Sequence, residues 1–212
     1  MVTTGVRPTT GHPLGQRFTS MADYYNDNAA QYFHATVDVD MSTVRTRFLA
    51  YLPPGAHMLD AGCGSGRDSL AFLQAGYRVT AFDASPEMAT LASQHIGQDV
   101  AVMRFQDFSW HEAFDGIWAC ASLLHVPRDE LPGVFQRLSQ ALKAGGVIYV
   151  SFKHGNGDRV AGGRHFTDLD EGSLAELIDG IPDLVCLEQW VSDDRRPGRA
   201  LEPWFNALLR KG

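Results

Sequence analysis

Short apolar segments alternate with helix-length amphipathic segments through the middle of this chain of 212 residues. The apolar segments predict five strands, at 57–60, 77–82, 100–105, 116–120 and 147–152. Between them, apolar residues recur at helical spacing near 67–75, 86–95 and 129–142. A helix between two strands returns the chain across the sheet, so consecutive strands run parallel and helices cover both faces. The pattern therefore predicts an α/β fold with a doubly wound, mostly parallel sheet.

The N-terminal part of the chain follows a different pattern. Residues 1–17 are rich in Thr, Gly and Pro and have no periodicity, which predicts a flexible arm. One amphipathic helix is expected over 23–33, and a second begins with Asp40 as N-cap and stops at Pro53. We therefore expect residues 18–55 to form a helical cap on the sheet.

The C-terminal third is less regular. Residues 153–167 are rich in glycine and are expected to form a loop, which is followed by a helix near 170–179. Two strand-like segments, 184–191 and 204–210, predict a terminal hairpin. No repeat or second boundary interrupts the chain, so residues 18–212 are expected to form one domain.

Composition and charge exclude several classes of protein. The chain has 18 Lys and Arg against 25 Asp and Glu, a net charge of −7, which argues against a nucleic-acid partner. No apolar segment approaches the roughly 18 residues of a membrane helix. Cys63, Cys120 and Cys186 are too few and too widely spaced for a disulfide framework or a zinc cluster, so no metal is expected. These features predict a cytoplasmic globular protein, either a monomer or a homodimer.

The segment MLDAGCGSGRD, residues 58–68, predicts a ligand-binding loop between a strand and a helix. Its three glycines alternate, at Gly62, Gly64 and Gly66. A dinucleotide-binding G-x-G-x-x-G motif would need glycine where this chain has Arg67. Asp60 precedes the loop, and a carboxylate there suits a ligand with an ammonium group better than one with phosphates. An ordinary glycine turn is the alternative.

Asp83 ends the next predicted strand, 23 positions after Asp60. An acidic residue at this place in doubly wound folds accepts hydrogen bonds from ribose hydroxyls. The alternative is that Asp83 caps the following helix, but Ser85 followed by Pro86 is the better N-cap. The two carboxylates together favour a nucleoside ligand that carries an amino group.

Five segments in order resemble the class I S-adenosylmethionine-dependent methyltransferases, from about residue 20 to the C-terminus. They are LDAGCGSG, AFDASP, RFQDF, FDGIWACASLLH and LKAGGVIYVS, the last with Ala144 where proline is commoner. The resemblance implies a Rossmann-like sheet of seven strands with an antiparallel C-terminal strand. It also implies S-adenosyl-L-methionine as cofactor and S-adenosyl-L-homocysteine as product.

The resemblance and the loop chemistry together give a set of candidate cofactor-binding residues. They are Tyr25, Tyr32, Asp60, Gly62, Cys63, Gly64, Gly66, Arg67, Asp83, Ala84, Met88, Gln106, Asp107, Phe108 and Ala121. Asp107 is expected to meet the adenine amino group, and Phe108 to pack on the ring. Arg67 is expected to contact the methionine carboxylate. The tyrosines either close over the cofactor or only dock their helix on the sheet.

The acceptor is expected near the loops after the fourth and fifth strands, at 120–127 and 153–167. His125 is the candidate catalytic base, because histidine titrates near neutral pH, although it could instead only order its loop. The basic residues of the second loop, Lys153, Arg159 and Arg164, are candidates for receiving an anionic acceptor. The sequence lacks the signature motifs of DNA methyltransferases, which favours a small-molecule acceptor.

Within the family, the compact length and the tyrosine-rich first helix resemble the tellurite-resistance and thiol-methylating branch. A thiol or reduced chalcogen is therefore a candidate acceptor, and nitrogen and oxygen acceptors stay open. The alternatives are a regulatory module that binds the cofactor without turnover, a nicotinamide oxidoreductase and a nucleic-acid methyltransferase.

Overall fold

A seven-stranded sheet forms the centre of the structure, a computed structural model that describes residues 21–196 and 202–212. Its strands are β1 (His57–Ala61), β2 (Arg78–Asp83), β3 (Ala101–Val102), β4 (Phe114–Ala119), β5 (Leu142–Lys153), β8 (Leu184–Ser192) and β9 (Trp204–Lys211). They lie in the order β3-β2-β1-β4-β5-β9-β8, and β9 runs antiparallel to both of its neighbours. The predicted α/β fold with an antiparallel C-terminal strand is confirmed. The predicted N-terminal arm lies outside the described residues.

Within the described residues, seven helices connect or cover the strands. They are α1 (Met21–Asp27), α2 (Ala29–Thr36), α3 (Ser42–Leu49), α4 (Arg67–Gln74), α5 (Pro86–Ile96), α6 (Leu131–Ala141) and α7 (Glu171–Asp179). A short 3₁₀ helix spans Leu123–His125. No helix in the described part of the chain is long and apolar enough to cross a lipid bilayer.

The core lies on both faces of the sheet because successive strand residues point to opposite sides. Ile117 on β4 belongs to the cluster that packs against α6, whereas its neighbour Trp118 belongs to the cluster under α3. Trp118 stacks on Tyr149 of β5 with ring centroids 4.2 Å apart. Both faces are therefore covered, as expected for a parallel sheet.

Three predicted elements differ from the observed ones. The helix predicted over 23–33 is two helices that break at Asn28, whose side-chain amide donates to the Tyr24 carbonyl. The strand predicted over 100–105 keeps two residues, because β3 is an edge strand whose register with β2 covers only two pairs. The helix predicted to reach Pro53 ends at Leu49.

The segment predicted as a glycine-rich loop contains a second, two-stranded sheet. It consists of β6 (Gly157–Ala161) and β7 (Arg164–Asp168), which pair antiparallel. The turn between them is Gly162-Gly163, with φ values of +56° and +76°. Two residues with positive φ form the tight turn that suits the twist of a hairpin, which explains why glycine occupies both positions.

Asp68 joins the N-terminal helices to the sheet from a buried position on α4. Its carboxylate accepts hydrogen bonds from Arg45 Nη1 at 2.7 Å, Arg67 Nη2 at 2.6 Å and Trp118 Nε1 at 3.0 Å. Burial opposes its ionisation, but the two guanidinium groups hold its pKa below the usual value. One buried carboxylate therefore satisfies groups from α3, α4 and β4.

Replacing Asp68 with Ala removes this carboxylate and leaves two recessed guanidinium groups without their partner. We expect the free energy of unfolding to fall by about 3–5 kcal/mol, measured by urea denaturation. The control is Asp107→Ala, because Asp107 pairs with Arg104 at the exposed surface. This control should leave the urea midpoint nearly unchanged, and equal losses in the two variants would contradict the assigned role of Asp68.

Candidate active site

Two cavities meet at the carboxyl ends of β1, β2 and β4, where a doubly wound sheet binds ligands. Their volumes are about 580 and 320 Å³. Six residues line both: Tyr25, Tyr32, Gly62, Gly64, Ala121 and His125. All six were predicted as site residues, although they come from α1, α2 and the segments that follow β1 and β4. These six residues, the junction, mark where two ligands can meet.

The smaller cavity has a carboxylate at one end and apolar walls. Its lining includes Phe82, Asp83, Ala84, Met88, Met103 and Gln106. Asp83 ends β2, and its two oxygens accept the backbone N–H groups of Gly64 and Ser85, each at 2.9 Å. Burial raises the pKa of this carboxyl, and the N–H groups oppose that rise. The Asp83 oxygens retain lone pairs for the hydroxyls of a ribose, and the apolar side chains of Phe82, Met88 and Met103 line the same cavity.

The larger cavity is lined near the glycine loop by a carboxyl group, Asp60, and a guanidinium group, Arg67. Asp60 is buried and accepts a hydrogen bond from Ser69 Oγ at 2.6 Å. Burial, together with the nearby charge of Asp68, raises its pKa to about 7. Arg67 lies beside it, in an ion pair with Asp68. Asp60 suits an ammonium group and Arg67 a carboxylate, so the two match the ends of an amino acid.

The glycine loop requires glycine for different reasons at different positions. At Gly62 φ is +74°, and a Cβ atom would lie 2.6 Å from Ser122 Cβ. At Gly64 φ is +55°, which directs the N–H group to Asp83. Gly66 lines neither cavity, and a Cβ there would lie 2.8 Å from Ile96 Cγ2 on α5. Gly66 therefore serves helix packing, and the prediction that it touches the cofactor is not supported by its position.

Asp107 and Phe108 line neither cavity, so the structure does not bring them to the predicted adenine site. Residues 104–107 form a turn, which pairs the Asp107 carboxylate with Arg104 at 2.8 and 2.9 Å in solvent. Phe108 is buried in the core against Phe82 and Trp110. Gln106 reaches the smaller cavity instead, although its amide also donates to Glu130 at 2.6 Å. The sequence analysis missed Met103, which lines this cavity.

Tyr25 and His125 form a hydrogen-bonded pair at the junction. His125 Nδ1 lies 2.8 Å from the His165 carbonyl oxygen, which can only accept, so Nδ1 carries the proton. Nε2 therefore accepts from the Tyr25 hydroxyl, 2.7 Å away. Burial lowers the pKa of His125 to about 4, so the imidazole is neutral at pH 7. The Nε2 atom of the predicted base is therefore covered by the Tyr25 hydroxyl, so a ligand proton reaches it through that hydroxyl.

Ala121 occupies a strained backbone position beside this pair. Its φ is +54°, in the left-handed region that disfavours a residue with Cβ, at a cost of about 1–3 kcal/mol. Its N–H donates to Ser151 Oγ at 2.8 Å, which holds the end of β4 against β5. Residues in such conformations concentrate at functional sites.

The acceptor side of the larger cavity was only partly predicted. The inner face of the β6–β7 hairpin lines it with alternate residues: Arg159, Ala161, Arg164, Phe166 and Asp168. Tyr149, Trp204 and Asn206 complete this wall. The alternation on either side of Gly162-Gly163 is the signal that could have revealed the hairpin.

The fold and the site define a nucleoside-binding α/β protein with space for a second ligand, and comparisons with known proteins agree. A family model described as a methyltransferase domain matches residues 58–146. A ubiquinone biosynthesis O-methyltransferase from Xanthomonas campestris pv. campestris is 31% identical over 144 residues, 64% of this chain and 58% of that protein. The chain thus spans less than two thirds of the length of this relative.

Solved structures show the same fold over nearly the whole chain. A 1,6-didemethyltoxoflavin-N1-methyltransferase from Burkholderia thailandensis, with bound 1,6-didemethyltoxoflavin and S-adenosylhomocysteine, superposes with a TM-score of 0.76. The two sequences are 24% identical, and the superposition covers 95% of this chain and 93% of the Burkholderia chain. A TehB-like enzyme from Corynebacterium glutamicum gives a TM-score of 0.67 at 21% identity, over 89% and 99%. The predicted resemblance to the class I S-adenosylmethionine-dependent methyltransferases is confirmed, over residues 58–146 for the sequence and over 95% of the chain for the fold. Its place in the tellurite-resistance branch stays a prediction.

Cofactor binding should release a proton from Asp60. Its carboxyl has a pKa of about 7 in the protein alone, whereas an ammonium group beside it favours the charged form and lowers that pKa. The affinity for S-adenosylhomocysteine should therefore fall as the pH drops below about 7. Calorimetric titration in buffers of different ionisation enthalpy measures the released proton, and Asp60→Asn should abolish it. An unchanged proton release in Asp60→Asn would contradict this assignment.

Proposed function

We propose that this chain is an enzyme that transfers a methyl group from S-adenosylmethionine to a small-molecule acceptor. The observation that carries the proposal is the junction between a cavity of about 320 Å³ that contains Asp83 and a larger one of about 580 Å³. The match of residues 58–146 to a methyltransferase domain and the similarity to an O-methyltransferase support it. The acceptor, whether a thiol, a chalcogen, an oxygen or a nitrogen, is chosen by the larger cavity.

The proposed cofactor position uses both cavities. Asp83 accepts hydrogen bonds from the ribose hydroxyls, and Met88 and Met103 form the apolar walls for adenine. Asp60 and Arg67 hold the ammonium and the carboxylate of the methionine part. The residues of the junction would hold the part of the cofactor between the ribose and the amino acid, which would supply the methyl group to an acceptor in the larger cavity.

The proposed reaction is a direct displacement. A lone pair of the acceptor attacks the methyl carbon while the carbon–sulfur bond breaks, and the bonding electrons stay on sulfur, which becomes a neutral thioether. The protein aligns the nucleophile with this bond and excludes water, since tyrosine and glycine backbone surround the junction. This reaction needs no metal from the protein.

Tyr25 and His125 give the acceptor proton a path in this proposal. The attacked atom becomes more acidic as it gains the methyl group, so its proton leaves late. The proton passes to the Tyr25 oxygen while the hydroxyl proton moves to His125 Nε2, 2.7 Å away. A base with a pKa of about 4 suits such a late transfer and remains available at neutral pH.

The same proposal includes the partners and the cellular site. A net charge of −7 favours a small molecule over nucleic acid as acceptor, and we infer a cytoplasmic monomer or homodimer. Steep salt-dependent binding of RNA or DNA would overturn the first part of this inference, and a larger assembly in light scattering would overturn the second.

Titration with S-adenosylhomocysteine tests the cofactor first. We expect S-adenosylhomocysteine to bind the wild-type chain with a micromolar Kd, and we expect NADH not to bind. Asp83→Ala should weaken the binding at least tenfold, because it removes a charged partner of two hydroxyls. Asp107→Ala is the control and should keep the wild-type affinity, since Asp107 lies outside both cavities. A preference for NADH would overturn the proposed function.

The proton path is tested by measuring kcat for methyl transfer in the variants Tyr25→Phe and His125→Asn. With an aliphatic thiol, which is protonated at pH 7, we expect kcat to fall about 100-fold in either variant. With an aromatic thiol that is already ionised, the fall should be less than about fivefold. Equal losses on both thiols would show that the pair only positions the helices. No transfer to any acceptor despite tight cofactor binding would favour the regulatory module.

A further inference from the structure

The inner face of the β6–β7 hairpin covers the acceptor side of the larger cavity. Arg159, Phe166 and Arg164 follow one another on this face, with each guanidinium over the Phe166 ring, at 4.5 Å for Arg159 and 5.0 Å for Arg164. Arg164 also lies over the ring of Tyr24, 5.0 Å from its centroid. The hairpin therefore places two cations beside the junction.

Most cations that line this cavity have carboxylate partners. Lys153 pairs with Asp194 and Glu202, each at 3.0 Å. Arg159 pairs with Asp168 at 2.5 Å. Arg67 and Arg196 pair with the aspartates that adjoin them, Asp68 and Asp194. On the acceptor side of the cavity, the pairs of Lys153, Arg159 and Arg196 leave little positive charge for an acceptor.

Arg164 differs from these cations. Among the described residues, no carboxylate lies within 4.0 Å of it, and its buried Nε makes no hydrogen bond. The Cα atoms of Arg164 and Asp168 lie four positions apart on β7, roughly 13 Å by the rise of a strand. The Asp168 carboxylate already pairs with Arg159. Aromatic faces stabilise a guanidinium but do not neutralise it.

The position of Arg164 places this charge near the reacting groups. Burial raises the pKa of Tyr25, and the Arg164 guanidinium opposes that rise. Burial is also the main cause of the low pKa of His125, and the charge of Arg164 lowers it further. Arg164 is therefore close to both residues of the proposed proton path. Arg164 hydrogen-bonds the Tyr25 hydroxyl, but a neutral hydroxyl does not balance its charge. A recessed cation without an anionic partner is unfavourable, and an anionic ligand would supply that partner.

We propose that Arg164 binds a carboxylate of the methyl acceptor, so that the acceptor is a small aromatic acid whose reactive thiol or hydroxyl group reaches the junction. The planar guanidinium fork matches a carboxylate, and the rings of Phe166 and Tyr24 provide flat contacts for an aromatic ring. The proposal rests on the proposed function and specifies the substrate class of the same site.

Matched pairs of probes test this proposal on the chain saturated with S-adenosylhomocysteine. The pairs are 2-mercaptobenzoate with thiophenol and 3,4-dihydroxybenzoate with catechol, so each pair differs by one carboxylate. We expect calorimetry to give at least tenfold tighter binding of each acid. Arg164→Gln should remove this preference without changing the affinity for S-adenosylhomocysteine, and Arg164→Lys should restore part of it.

Arg195→Gln is the matched control, because Arg195 lines the same cavity from an exposed position. It should keep the preference for the acids. Equal binding of acids and neutral partners, no binding of either acid, or an equal effect of Arg195→Gln would each overturn the assignment of Arg164. The titration with S-adenosylhomocysteine alone separates these outcomes from a failure of the proposed function, since it tests the cofactor site without any acceptor.

Discussion

The hydrogen bonds of the Asp83 carboxylate connect the parts of the site that come from distant sequence. One oxygen holds the glycine loop through the Gly64 N–H, and the other holds the start of α5 through the Ser85 N–H. Ser85 Oγ then donates to Asn26 on α1 at 2.6 Å. Tyr25 precedes Asn26 on α1 and donates a hydrogen bond to His125, which in turn donates to the carbonyl of His165 on the hairpin. The loop, the cap and the hairpin thus form one connected network.

Local signals predicted most of the fold. Strands buried on both faces and amphipathic helices differ in period, so their alternation was visible without tertiary information. The N-cap at Ser85 was predicted correctly, since its side chain accepts the Met88 N–H at 3.1 Å. The β6–β7 hairpin was missed because its glycines were interpreted as loop residues, although Gly162-Gly163 is also a hairpin turn. Edge strand β3 was overestimated because apolar content does not reveal how many residues find a partner.

The candidate site was predictable where one motif places its own residues. The glycine loop and Asp83 depend on short stretches of chain, and both line the cavities. Asp107 lines neither cavity, because a local turn pairs its carboxylate with Arg104. The three basic residues of the hairpin region look equivalent in sequence. Only the fold shows that two of them have carboxylate partners, whereas Arg164 has none within residues 21–196 and 202–212. Charge compensation between distant residues has no local signature.

The hairpin is attached to the rest of the molecule in a way that separates stability from selectivity. β6 and β7 pair with each other, and the main sheet keeps its own hydrogen-bond ladder without them. Arg164 lines the larger cavity directly after the Gly162-Gly163 turn, where a Cβ atom at Gly162 would meet no other atom within 4 Å. A substitution at Arg164 can therefore change which acceptor is chosen while the main sheet and the nucleoside pocket are preserved. The side of the cavity that selects the acceptor is thus built from a sheet other than the one that binds the nucleoside.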